Sequence, residues 1–268
     1  MQVFLQKIAQ WVTSQQPILL ANQKPIADNP FLHMTLPDLG QYQGSLRLGF
    51  IYQELCGRLF LANPLFHLLE EEIQLHSNKK TLGAIDFLIE HEHRIEHWEV
   101  AIKFYLLHDG LWYGPDSRDR LDIKLNHMLN HQLKMSKHEV FIERFPDYQA
   151  IEEKLLMHGR LYINPFTEQT VPTHCSKFEL NLDAVQGFWC YQHQLSQIAE
   201  TLYRLDKPDW IAGEPMVKNK LASLPDYSVH CQSESGTFWM IVPDKWPNNA
   251  IHQTKKADEH NTSAFQYN

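Results

Sequence analysis

Apolar residues recur every three or four positions in the first quarter of the chain, then give way to runs and alternations of shorter period. Val3, Phe4, Ile8, Trp11 and Val12 predict a short amphipathic helix over residues 3–16. A connector punctuated by Pro17, Pro25, Pro30 and Pro37 follows. From residue 46 to 73 the spacing is helical again, through Leu48, Ile51, Leu55, Leu59, Leu65, Leu68 and Leu69. Pro64 disfavours helical geometry at Asn63, so this stretch is predicted as two helices. Residues 74–80 then read as a short strand and turn, 82–90 as a second strand and 96–107 as a third, with HEHR as the turn between the last two.

GLWYGPDSRD is a loop by its Gly and Pro content. Asp116, Ser117 and Asp119 are N-cap candidates for a helix running to residue 135, with Leu121, Leu125, Met128, Leu129 and Leu133 on its apolar face. A further helix is predicted over 148–157, a strand at GRLYINP, a helical stretch over 183–205 and a buried strand at TFWMIVP. The expected fold class is therefore α/β (α+β). Residues 1–46 form an N-terminal helix and connector, and 47–168 a core of helix, three strands, helix and strand. Residues 169–247 form a C-terminal α+β extension, and 248–268 are a polar tail predicted to be disordered.

Composition narrows the classes. Of 268 residues, 43% are hydrophobic, with 7 Trp, 10 Tyr and 14 Phe, enough for a sizeable core. The net charge of -8 argues against broad non-specific DNA binding, although a local basic groove remains compatible with it. The four cysteines contain no CxxC pair, which speaks against a cysteine-built zinc site and for reduced, buried thiols. The N-terminus lacks the apolar core and cleavage site of a signal peptide, and no run approaches the length of a membrane span. The expected location is cytoplasmic, with no membrane partner. No GxxxxGK[ST], GxGxxG or GxSxG motif is present.

The chemistry concentrates in GAIDFLIEHEHRIEHWEVAIK, residues 83–103. Alternation places Trp98, Val100, Ile102 and Phe104 on one face of the third strand, and His97, Glu99, Ala101, Lys103 and Tyr105 on the other. Asp86 lies between Ile85 and Phe87, and a charge in such a run must be paired or metal-bound. One reading is a structural ion pair of Asp86 or Glu99 with Lys103 or Arg120. The other is a divalent-cation site on two adjacent strands, with a lysine to orient the attacking water.

GAIDFLI followed by EVAIK resembles the PD-(D/E)XK nuclease-like superfamily, whose core order of helix, three strands, helix, strand is the one predicted for residues 47–168. LGFIYQELCGRLF, KTLGAIDFLI, HWEVAIKFYL, WYGPDSRDRLD and LNHMLNHQL together look like an uncharacterised bacterial family of unknown function grouped with that superfamily. The resemblance implies a restriction-endonuclease-like core and metal-dependent hydrolysis of phosphodiester bonds in DNA or RNA. It implies Asp86 and Glu99 as ligands of Mg2+ or Mn2+, and Lys103 as the water-orienting lysine. Glu54, on the preceding helix, is the candidate further ligand, and Gln132 or Lys124 the polar residue supplied by the following helix. The superfamily spaces acid and lysine two apart; here they are four apart, roughly 13 Å along a strand, and Ala101 stands where the acid is expected. That departure motivates the alternative, a nuclease-fold binding or interaction module that does not cut.

Arg120, Lys124, His127 and His131 share a helical face, readable as a phosphate-binding stripe or as a solvated polar face. His127 and His131 have i, i+4 zinc spacing without an HExxH motif. His91, His93 and His97 crowd a strand turn, and Trp112-Tyr113-Gly114-Pro115 could stack a base or cap a core.

Overall fold

The computed structural model describes residues 3–214 and 219–247. Helix α1 spans Leu5–Val12 and α2 spans Leu48–Ala62. Strands β1 (Phe66–Ser77), β2 (Lys80–His91) and β3 (Arg94–His108) follow as antiparallel neighbours, and a short β4 (Leu111–Tyr113) folds back on β3. Helices α3 (Leu121–Asn130) and α4 (Glu139–Arg144) lead to β5 (Glu152–Ile163), which returns parallel to β3. Then come β6 (Val185–Tyr191), β7 (Leu202–Arg204), β8 (Val229–Ser233) and β9 (Phe238–Val242). These nine strands form one mixed sheet in the order β7-β8-β9-β6-β5-β3-β2-β1, with β4 beside β3. The strands of the C-terminal extension thus continue the sheet of the core.

β3 lies in the middle of this sheet and is covered on both faces, which explains its near-continuous apolar run. On one face Ile51, Tyr52, Leu55, Leu59 and Phe60 of α2 pack with Phe87, Trp98, Val100, Ile102 and Phe104. On the other, Leu121, Leu125 and Met128 of α3 pack with Ala101, Tyr105 and Leu107. The alternation predicted for this strand therefore holds. A buried hydrogen bond from the Tyr52 hydroxyl to His158 Nδ1 ties α2 to β5, and burial holds that imidazole neutral by lowering its pKa to about 4. All four cysteines are free and buried. Among the described residues no helix is long and apolar enough to cross a membrane.

Four predicted helical stretches differ. Residues 66–73 belong to β1: a register shift between Leu68 and Glu70 displaces the apolar period from two and imitates helical spacing. Most of 148–157 is the start of β5, whose charged lead-in Glu152-Glu153-Lys154 lies at the less buried end of a strand otherwise enclosed by the sheet. Residues 183–205 hold two 3-10 turns, the short β7 and β6, a strand with parallel neighbours on both sides and hence no alternation to read. The helix expected to reach residue 135 ends at Asn130 and continues as a 3-10 helix, Gln132–Lys137. The predicted disordered tail, 248–268, lies outside the described residues.

Candidate functional site

β2 and β3 pair from His91↔Arg94 down to Phe87↔Trp98, and the ladder ends there. Beyond that rung the strands part, β2 remaining with β1 and β3 with β5. Asp86 and Glu99 are the first residues past the fork. The Asp86 carboxylate closes it, its Oδ2 accepting the Val100 backbone N–H at 2.9 Å. Glu99 is fully buried. Its Oε1 lies 2.9 Å from His97 Nε2, and its Oε2 accepts from Gln132 Nε2 at 2.9 Å. The other imidazole nitrogen, Nδ1, is 3.0 Å from the Ser136 hydroxyl. With Glu99 ionised, His97 donates from Nε2 and accepts from Ser136.

Burial dominates the electrostatics. It raises Asp86 to about 8, with the Glu99 carboxylate pushing the same way. It raises Glu99 to about 8 as well, and lowers His97 to about 4. Lys124 is lowered, by burial first and then by Lys103. Neither acid is salt-bridged to a lysine or arginine: Lys103 pairs with Asp119 at 2.5 Å and Arg120 with Asp122 at 2.7 Å. This removes the structural ion pair as the explanation of the two acids.

A cavity of about 380 Å³ opens on the fork, lined by Asp86, Lys103, Lys124 and Gln132, with Arg47 and Gln53 from the α2 end. Four of the sequence-predicted residues are thus brought together, and Glu99 stands immediately behind Gln132, which also accepts from Lys124 Nζ at 3.0 Å. The others are elsewhere. Glu54 is ion-paired with Arg58 at 2.6 Å and lines an adjoining cavity beside Glu71 and Glu72, so it is no ligand at the fork. The rings of His127 and His131 stack on each other, with centroids 4.9 Å apart, and with Arg120 they do not line the Asp86 cavity. Asp119 does not cap α3, whose N-cap Arg120 has no side-chain cap bond; it binds Lys103 and the Tyr105 hydroxyl instead.

Sequence reasoning did not single out His97, Asp119, Arg47 or Gln53 for this site. The partnership of His97 with Glu99 was legible, since i and i+2 share a strand face; the other three arrive from distant segments.

Among the described residues no three His, Cys, Asp or Glu converge as a metal cage. Of the two carboxylates Asp86 alone lines the cavity, and Glu99 would become a second ligand only after release from His97 or Gln132. A cation would stabilise the ionised forms that burial disfavours. A family described as a domain of unknown function, DUF1853, matches residues 5–237. No curated protein and no solved structure matches the chain.

Proposed function

The chain belongs to the DUF1853 family, and we propose that the Asp86 cavity is a nuclease-like site hydrolysing phosphodiester bonds in DNA or RNA. The observation that carries this reading is the fork itself: a half-buried Asp86 and a fully buried Glu99, both with raised pKa values, beside a cavity that also holds two lysines. The order α2, three antiparallel strands, α3 and a parallel β5 supports a restriction-endonuclease-like core. Asp86 and Glu99 would hold Mg2+ or Mn2+, which when bound supplies an activated water and charge stabilisation at the phosphoryl oxygens. Lys103, fixed by Asp119 at the rim, orients the attacking water. Lys124, Gln132 and Arg47 hold the phosphate, giving local positive charge on an acidic protein.

The second reading, a nuclease-fold module that binds without cutting, is favoured by one observation. Glu99 has both oxygens engaged and no exposure, so Gln132 must swing aside before it meets a cation. Incubation of single- and double-stranded DNA and RNA with Mg2+ or Mn2+, beside calorimetric titration of each ion, separates the two. Hydrolysis reading: cleavage needs the ion and falls about 10²-fold or more in Lys103→Ala. Binding reading: no cleavage, and no heat at millimolar Mg2+ or micromolar Mn2+.

A further inference from the structure

Lys103 and Ile102 also line a second cavity, of about 480 Å³. The first turn of α2 separates the two, with Leu48 lining this one and Arg47 and Gly49 lining the Asp86 cavity. Its character is different. The walls carry the rings of Phe104, Trp210, Tyr227 and Trp246; the polar margin is formed by Lys207 and Asp226 and by Asp116 and Asp119, which are ion-paired with Arg118 and Lys103 respectively.

The walls are fixed by hydrogen bonds to the main chain. Trp246 is buried, and its Nε1–H donates to the Gly114 carbonyl at 3.3 Å. The Ser228 hydroxyl donates to the Pro115 carbonyl, joining the two loops that face each other across the opening. Arg160, 1% exposed, donates to the carbonyls of Trp210 and Ile211 at 3.2 and 3.1 Å and so anchors the Trp210 wall to β5. Lys207 Nζ lies 4.1 Å from the Trp210 ring centroid. Asp226 has no hydrogen-bond or ion-pair partner among the described residues, which leaves its carboxylate able to accept from a ligand N–H.

A flat aromatic ligand suits these rings, and a volume of this size lies within the range of small-molecule pockets. The neighbouring cavity, with Arg47, Lys103 and Lys124, suits a phosphate. Ring and phosphate joined at short range describe a nucleotide. We propose that the second cavity holds an unstacked nucleobase of the strand whose phosphate lies at Asp86. This rests on the nucleic-acid reading above and deepens it, because a base drawn out of a helix costs unstacking energy that single strands largely avoid. The substrate class is therefore single-stranded nucleic acid, or duplex ends and distortions.

The test is fluorescence anisotropy with short, labelled single-stranded DNA and RNA, intact or abasic at every position, in chelator so that nothing is cut. Wild type is expected to bind the intact strand roughly tenfold or more tighter than the abasic one, the worth of one stacked base. Trp210→Ala should erase that ratio. Tyr227→Ala should reduce it without threatening the fold, since Tyr227 is 51% exposed. Equal affinity for the two strands, no binding of either, or a ratio untouched by both variants overturns the proposal. Cleavage without base dependence sinks the base pocket alone; base-dependent binding by a protein that never cleaves sinks hydrolysis alone.

Discussion

Asp86→Asn should abolish metal-dependent cleavage while leaving the protein at least as stable as wild type. Asparagine keeps the shape and an oxygen to accept the Val100 N–H, but removes the carboxylate that the proposed cation would need. Loss of one of two carboxylates at a divalent ion is expected to lower activity by about 10³-fold, a transition-state effect of roughly 4 kcal/mol. A residue kept only for stability behaves in the opposite way, losing stability with its charge. The sign follows from the pKa direction. The Asp86 carboxyl titrates at about 8 when folded, far above its unfolded value, so between those limits the folded protein retains a proton that the unfolded chain has released. Its contribution is fully present below the unfolded pKa and is lost as pH rises through the folded one. Thermal melts of wild type and variant without metal should therefore diverge between about pH 4 and pH 8 in favour of the variant, and run parallel above. His97 and His158, both lowered to about 4, give an opposite slope between that value and the unfolded histidine pKa. The His158 contribution is common to both proteins and cancels in the comparison, whereas His97, whose pKa the Asp86 carboxylate raises, falls further in the variant and enters the difference only below the unfolded histidine pKa. Each 1 kcal/mol of relief shifts the midpoint by about 2–4 °C in a domain of this size. Mn2+ should raise the wild-type midpoint more at pH 8 than at pH 5, and the variant little at either. A variant that melts lower across the whole range would identify Asp86 as a structural residue.

Gly159→Ala should be the most disruptive single methyl in the sheet. In the parallel register Gly159 faces Lys103, and a Cβ there would run into the Lys103 carbonyl oxygen and backbone. The atoms in the way are main chain in the middle of a nine-stranded sheet, so no rotamer change relieves the overlap. β3 and β5 must move apart, at a cost of about 3 kcal/mol or more, or roughly 6–12 °C in the melting midpoint. Because the displaced residue is Lys103, nucleic-acid cleavage should fall further than the lost folded fraction accounts for. Denaturant unfolding read beside activity per folded molecule measures both. A fully stable Gly159→Ala would contradict the close approach of these strands.

What could be read in advance followed periodicity. The paired strands around the HEHR turn, the two faces of β3 and the joint presence of Asp86, Lys103, Lys124 and Gln132 come from residues near one another in sequence, where the period of two or 3.6 fixes direction. The exchange of Glu54 for Gln53 shows where this stops. Consecutive helical residues point about 100° apart, and α2 buries Ile51, Tyr52, Leu55, Cys56, Leu59 and Phe60, a stripe too broad to set its rotation from sequence. The pairing of Lys103 with Asp119, and the approach of Gly159 beneath it, depend on tertiary placement that no local pattern encodes. The second half of β5 was legible as the strand at GRLYINP, whereas β6 was hidden for a related reason: a strand enclosed on both faces has no polar side to betray its period.

The last strand of the sheet is not at its edge. β9 sits between β6, to which it runs parallel, and β8, to which it is antiparallel. The family match stops at residue 237, one position before β9 begins at Phe238. A protein trimmed at that boundary would lose Met240, Ile241 and Val242, all fully buried, and leave the antiparallel β7–β8 pair with nothing to join. It should aggregate on expression, whereas a chain ending at residue 247 should remain folded by circular dichroism. On the ribosome the same arrangement means that the far wing of the sheet cannot close until β9 has emerged, long after the fork between β2 and β3 has been translated.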